Sequence, residues 1–409
     1  MGYKVKILLA HNTYTITGGA EVFYHEVGRV LKKFDHKIAY FSAKENELVE
    51  PWAEFFPEVS DYKSKGLIAK FSSFPSMVYS QKTKAAMARI ISEFKPDIIH
   101  VFASYVKLTP SILDAAKDAG VPVVMSCNDY KHICPSYKLY HSGRICEECK
   151  GGKFYRAIIN KCSHNSLTYS VAVAIEAYVH NLLNIYRKNV HTFLFSSEFM
   201  AQKTEEFWGE GSFRWRKLRN PFDSTKYKAT YTPDGPVLFF GRLIDEKGVD
   251  VLIRAASQLS EVSFRIVGDG PDMQPLKRLA DELGLNNLNF AGAKWGEDMD
   301  DELKACSFVV VPSIWHENFP YVINQSFAFG KPVVGSNRGG ITELVEHGER
   351  GLIYEATEPD ALAAMVRELW TNPDRIGEMG LRAKQFSDRE FNDESLYQTL
   401  KEIYTEVLL

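Results

Sequence analysis

Short apolar runs alternate with helical patterns along nearly all of this 409-residue chain, and this alternation limits the folds open to it. Strand candidates in the first half are 4–10, 37–42, 97–103, 121–126 and 192–196. In the second half they are 236–241, 263–267, 288–292, 307–312, 332–336 and 351–354. Between the first two, Phe23, Val27, Val30, Leu31 and Phe34 recur at helical spacing. Strands that alternate with helices predict parallel sheets in doubly wound α/β domains. The length exceeds one ordinary core, so two such domains are expected. The polar, Pro-bearing stretch 210–235 reads as the linker, and Asp393 to Leu409 as one amphipathic helix. The expected domains are 1–210 and 211–390, with 391–409 as a terminal helix.

No stretch approaches the roughly 18 to 20 apolar residues that span a bilayer. The opening run Lys4–Ala10 is too short for a secretory signal core, so a cytoplasmic protein with reduced cysteines is expected. The net charge of −3 hides an asymmetry. Residues 1–190 hold 25 Lys and Arg against 17 Asp and Glu, and the remainder holds 24 against 35. A basic half joined to an acidic half suggests that one domain meets an anionic partner. The densest basic stretch is 62–95, where Lys63, Lys65, Lys70, Lys82, Lys84, Arg89 and Lys95 face the single acid Glu93, interleaved with Phe71, Phe74 and Tyr79. It reads either as a solvated helix face or as a patch for anionic lipid at the inner face of the cell membrane. Nucleic acid is the poorer partner, because no recognition motif accompanies the charge.

Four motifs lie where strands run into helices. Gly18-Gly19 opens the first helix and lets backbone approach a ligand at a helix N-terminus. Gly241-Arg242 with Lys247 presents two cations after a strand, which suits a diphosphate whose charge grows as it departs. Gly268-Asp269-Gly270-Pro271 is a strand-exit turn and not a GxGxxG fingerprint, so a nicotinamide cofactor is unsupported. Pro312-Ser313-Ile314-Trp315-His316-Glu317-Asn318-Phe319-Pro320 carries an acid to the mouth of a helix, at the carboxyl edge where ligands of open α/β sheets collect.

In order and spacing these motifs, with Gly339-Gly340 and Glu343, resemble those of family-four retaining glycosyltransferases of GT-B fold. The resemblance implies two Rossmann-like domains facing a central cleft, the last helix crossing back to the first domain. It implies a nucleotide-diphosphate sugar, UDP- or GDP-linked, on the C-terminal domain. A saccharide or polyprenyl-diphosphate-linked acceptor would lie on the N-terminal one, with peripheral membrane contact. By the same resemblance Arg242 and Lys247 hold the diphosphate, Glu317 the sugar hydroxyls, and the amides of Asn318 and Phe319 face the donor, with Gly18, Gly19 and Gly241 lining its site. No cofactor is needed: the cations stand in for a metal, and retention proceeds by front-face attack without an enzymic nucleophile. Asp298-Met299-Asp300 has metal-pair spacing but opens a predicted helix, where acids serve as caps.

Two positions depart from the pattern. The family's second Glu, which binds ribose, is Gln325 here; an amide can still accept from one hydroxyl and donate to another. The family's His after the fourth strand is Asn128, followed by Asp129, leaving His100 and His132 as neighbouring candidates on the acceptor side. A lone His at a strand end is more often structural. A sugar-nucleotide epimerase of the same fold, or a non-catalytic nucleotide-sugar-binding subunit, are the alternatives. Finally, Cys134, Cys146, Cys149 and Cys162 lie in an insertion at about 130–165, spaced C-x11-C-x2-C-x12-C. Four thiolates with one two-residue gap fit a structural zinc; the other reading is four unligated thiols.

Overall fold

A computed structural model describes residues 4–45, 49–59, 74–103, 105 and 107–409. The chain divides into two compact units, one of 1–139, 147–221 and 396–409, the other of 140–146 and 222–395. In the first, β1 (Lys6–His11), β2 (Lys37–Phe41), β3 (Ile98–Ala103), β4 (Val123–Cys127), β7 (Thr192–Phe195) and β8 (Trp215–Lys217) form one sheet in the order β2-β1-β3-β4-β7-β8, and every pairing is parallel. The central strands are continuous apolar runs because helices cover both faces. The helix Gly19–Lys33 buries Phe23, Val27, Val30 and Leu31 of the periodic set that marked it in the sequence, together with Tyr24, while Phe34 caps its end half-buried. The helix Gln81–Phe94 starts on Ser80, whose Oγ accepts from the Thr83 amide at 3.1 Å.

The second unit repeats the plan. β9 (Val237–Phe240), β10 (Phe264–Val267), β11 (Leu288–Gly292), β12 (Val309–Val311), β13 (Val333–Ser336) and β14 (Gly351–Tyr354) run parallel in the order β11-β10-β9-β12-β13-β14. A two-stranded hairpin, β5 (Tyr140–His141) with β6 (Arg144–Ile145), also belongs to this unit, where the Tyr140 hydroxyl donates to Asp245 at 2.7 Å.

One feature differs from the sequence-based expectation. The stretch 210–235 is not all linker: Trp215–Lys217 adds an edge strand to the first sheet, and the division between units falls at Pro221. The terminal helix Asp393–Leu408 has its last turns in the first unit, where Tyr397 stacks on Phe34 at 3.8 Å and Tyr404 is buried. Of the basic stretch, 62–73 lies outside the described residues. Within the rest, the helix Gln81–Phe94 turns Met87, Ile90, Ile91 and Phe94 inward and Lys82 and Arg89 outward.

The core of the first unit contains histidines held neutral. His100 is fully buried between the Tyr404 hydroxyl and Ser126 Oγ, each 2.8 Å away, and burial pushes its pKa down to about 3. His132 lies 2.8 Å from Thr204 Oγ1 and is likewise pushed to about 3 by burial. Below about pH 6.5 the unfolded chain takes up protons that these folded-state histidines refuse, so stability falls as pH drops from about 6.5 towards 3. Asp129, which burial raises to about 6, works the other way below pH 6. A net proton costs about 1.4 kcal/mol per pH unit. Denaturant unfolding at pH 7, 6 and 5 should show that loss, and His100→Asn should flatten it. A flat profile in the wild type would contradict the account.

Candidate functional site

In the second sheet β9 is the first strand in sequence. Its successors β10 and β11 lie on one side, and β12, β13 and β14 on the other. The order therefore reverses between β9 and β12, and loops leaving the carboxyl ends at such a point splay apart to leave a crevice. Lys247 follows β9 and Glu317 follows β12, so the two residues come from the strands that flank this point.

The loops are laced together by close backbone approach. After β9 the chain makes a turn, Asp245–Lys247, and enters the helix Val249–Ala256 through Gly248 at φ +64°. A Cβ at Gly248 would lie 2.1 Å from the Pro312 carbonyl oxygen, so only glycine allows the β9 loop to press on the β12 loop. The Ile314 amide donates to the Glu246 carbonyl at 3.0 Å beside it. From the other side the Gly340 amide donates to the Glu317 carbonyl at 2.7 Å, and Ser336 Oγ donates to the Ser313 carbonyl at 2.6 Å. Three loops thus fix one carboxylate.

That carboxylate is 5% exposed. Lys247 Nζ and Ser313 Oγ both donate to Glu317 Oε1, each at 2.6 Å. Burial alone would raise the Glu317 pKa, but the Lys247 charge and these hydrogen bonds outweigh it and hold the group below the usual carboxylate range. The ammonium of Lys247 also lies 5.6 Å from the centre of the Trp315 ring. Arg242, after the left-handed Gly241, is exposed and has no carboxylate partner among the described residues. One fixed anion, one shared cation and one free cation at a sheet edge can grip a polyhydroxylated, negatively charged ligand.

Asn318 and Phe319 follow Glu317 directly, and Pro320 begins the helix Tyr321–Ala328. Gln325 is half-buried one turn into that helix, next to the fully buried Asn324. The structure thus places Gly241, Arg242, Lys247, Glu317, Asn318, Phe319 and Gln325 on adjoining loops and one helix of a single unit. Ser313, which steadies Glu317, and Ser336, which steadies Ser313, were not singled out in the sequence. The only signal for Ser313 was its place in the Pro312–Pro320 run.

In the first unit Gly18 caps the helix Gly19–Lys33 in extended backbone, and Asn128 and Asp129 follow β4, so all four lie at the carboxyl edge of that sheet. Asp129 accepts from the Lys131 amide at 2.9 Å. His100 is not among them. Its burial and its two protein partners make it a core residue, and His132 is buried too. The zinc expectation finds no support. Among the described residues no three His, Cys, Asp or Glu side chains come together so as to hold a metal ion. Cys134 belongs to the main core of the first unit, with its Sγ 3.3 Å from Ser136 Oγ. Cys149 and Cys162 instead pack in a small apolar cluster with Phe154, Ala157 and Ala174. Lys131 and Glu176 form an ion pair at 2.7 Å. Asp298 and Asp300 lie in the first turn of the helix Glu297–Ala305.

Comparison with known proteins bears on both units. Residues 17–225 match the family model described as Glycosyltransferase Family 4, and residues 225–386 the one described as Glycosyl transferases group 1. An uncharacterized glycosyltransferase of Methanocaldococcus jannaschii is 31% identical over 170 residues, 42% of this chain and 48% of that protein. The D-rhamnosyltransferase WbpZ of Pseudomonas aeruginosa is 34% identical over 149 residues, 36% of this chain and 39% of that protein. The aligned stretches span less than half the length of these curated relatives. Among solved structures, a sucrose-phosphate synthase from Thermosynechococcus elongatus matches with a TM-score of 0.68 at 16% identity, covering 98% of this chain and 99% of that one. Anabaena HepE in complex with UDP-glucose matches with a TM-score of 0.62 at 19% identity, covering 98% and 100%. At such identities the likeness is one of fold, two parallel sheets with helices in the GT-B manner.

Proposed function

Because the chain belongs to glycosyltransferase family 4, we propose that it transfers a sugar from a nucleoside-diphosphate sugar, UDP- or GDP-linked, with retention at the anomeric carbon and without a catalytic metal. The acceptor in this proposal is a saccharide, free or linked to a polyprenyl diphosphate, built into a surface glycan at the inner face of the membrane. The single observation that carries the proposal is the Lys247–Glu317 pair held by three loops at the switch point of the second sheet. That UDP-glucose occupies a solved structure of the same fold, and that one relative is a rhamnosyltransferase, also supports it.

The roles follow from the chemistry of the groups. Glu317, ionised and fixed, accepts hydrogen bonds from sugar hydroxyls. Lys247 and Arg242 face the diphosphate, whose charge increases as the bond from the anomeric carbon to phosphate oxygen breaks. The acceptor oxygen bonds to the same face of that carbon, and its proton passes to the departing phosphate oxygen. The amides of Asn318 and Phe319 face the donor, and the Gln325 amide meets the ribose hydroxyls. Asn128 and Asp129 border the acceptor side.

A thermal-shift comparison of UDP, GDP and other nucleoside diphosphates tests the binding directly, since a preferred ligand raises the melting temperature by mass action. Gln325→Ala should weaken binding of the preferred one by about 5- to 30-fold, or roughly 1–2 kcal/mol. Gln325→Glu should keep or improve it. An unchanged affinity in Gln325→Ala, or a severe loss in Gln325→Glu, would remove the residue from the ribose site.

A further inference from the structure

The helix Leu167–Leu182 in the first unit is built inside out. Its inward face carries Ser170, Ala174, Glu176 and His180, all buried. Glu176 is the Lys131 partner already described, and His180 Nε2 is 2.8 Å from the Val78 carbonyl oxygen. The outward face is apolar. Ile175, Tyr178 and Leu182 are exposed at helical spacing, with Val171 and Val179 partly exposed on the same side. Leu182 is 85% exposed. The short helix Tyr155–Ile159 widens the patch: the Tyr155 amide donates to the Tyr178 hydroxyl at 3.2 Å, the Phe154 and Tyr178 rings are 5.2 Å apart, and Ile159 is 62% exposed. Leu167 extends it at the other end. An amphipathic helix on a water-facing surface puts its apolar stripe against the core. This one does the reverse, and a contiguous apolar surface of that kind marks an interaction site.

Charge identifies the occupant. Between residues 162 and 186 the only Asp, Glu, Lys or Arg is Glu176, which is buried. From 149 to 197 there are six basic residues, Lys150, Lys153, Arg156, Lys161, Arg187 and Lys188, and no acid other than Glu176. Lys153 and Lys161 are exposed at one end of the patch; at the other, Lys188 pairs with Asp114 at 3.2 Å. An uncharged apolar strip with exposed cations at one end and two exposed tyrosines, Tyr155 and Tyr178, matches an anionic bilayer surface, where hydrocarbon meets headgroups. A second copy of the same face would bring like charges together instead. Among the described residues no helix is long and apolar enough to cross a membrane, so this one would lie in the interface plane.

We propose that the face formed by the helices Tyr155–Ile159 and Leu167–Leu182 docks the protein on an anionic lipid surface. The benefit to a lipid-linked acceptor rests on the proposed sugar transfer, but the docking does not. Transfer to a soluble acceptor is assayed without vesicles, so failure of one leaves the other standing. The test is co-sedimentation with phosphatidylcholine vesicles, pure or containing about 30% phosphatidylglycerol, at low and high salt. The wild type should partition onto the mixed vesicles and be released by salt. The double variant Ile175→Glu, Leu182→Glu should bind about tenfold or more weakly, because charge on the apolar face opposes insertion. Its melting temperature should not change, since both side chains already face solvent. Lys153→Ala with Lys161→Ala should weaken binding and blunt its salt dependence. The proposal is overturned if the wild type ignores anionic vesicles or if the double Glu variant binds them equally well. It is also overturned if light scattering shows a wild-type dimer that the double variant dissolves while neither form binds lipid.

Discussion

Glu317→Ala should lower kcat/KM for sugar transfer at least about a hundredfold, equivalent to roughly 3 kcal/mol of transition-state stabilisation. The Glu317 carboxylate is fixed by both a lysine and a serine on one oxygen, and its backbone carbonyl is held as well. Lys247→Ala should lower transfer to a similar extent, but the two variants should differ in stability. Removing Lys247 leaves a carboxylate that is 5% exposed with a hydroxyl as its remaining donor, and stranding a buried charge costs about 3–5 kcal/mol. Removing Glu317 leaves a lysine side chain that is 26% exposed and can turn to water. Melting temperature should therefore drop clearly in Lys247→Ala and little in Glu317→Ala. Near-normal transfer in both would remove the pair from the site.

Gly339→Ala should be nearly as damaging although residue 339 has no side chain to offer a ligand. Gly339 sits at φ +59°, and a Cβ there would lie 2.1 Å from the Glu317 carbonyl oxygen and 2.7 Å from the Glu317 nitrogen. The contact is with backbone, so no rotamer change relieves it, and Glu317 must shift. An expected destabilisation of about 2–4 kcal/mol combines that overlap with left-handed strain. Gly348→Ala is the control: its φ is +85°, but nothing lies within 4 Å of the added carbon. It should cost only about 1–2 kcal/mol of conformational strain and spare transfer. Equal activity loss in the two variants would show that local strain, not displacement of Glu317, is responsible.

The sheets were legible in the sequence because their strands are continuous apolar runs, such as Leu8-Leu9-Ala10 and Val309-Val310-Val311, that only a doubly covered parallel sheet buries. Trp215–Lys217 was not legible. An edge strand of three residues, two of them basic and none buried, carries no apolar signal. The residues proposed to carry chemistry were visible by type and place: an acid after one strand, a lysine after another. What sequence could not supply was the lacing, since Gly248 against Pro312 and Gly339 against Glu317 are contacts between loops far apart in the chain. His100 was kept as a candidate beside the structural role that its position favoured. A polar residue at a strand end looked available, yet Tyr404, from the last helix, and Ser126 close around it. The cysteine insertion was legible only as spacing. Its thiols have metal-like spacing, but Phe154, Ala157 and Ala174 give Cys149 and Cys162 an apolar setting. The inverted helix Leu167–Leu182 was missed because its apolar residues resemble core by composition, and only the structure shows which face is covered.

The central claim is that Glu317 binds the sugar while Lys247 and Arg242 bind the diphosphate. Calorimetric titration of the wild type and Glu317→Ala, each with the preferred nucleoside diphosphate and with its sugar conjugate, tests it most directly. In the wild type the sugar conjugate should bind more tightly than the bare nucleotide. In Glu317→Ala the bare nucleotide should bind as well as before or better, because Lys247 is released from the carboxylate that holds it at 2.6 Å, and the preference for the sugar conjugate should disappear. Equal loss of affinity for both ligands in Glu317→Ala would contradict the assignment.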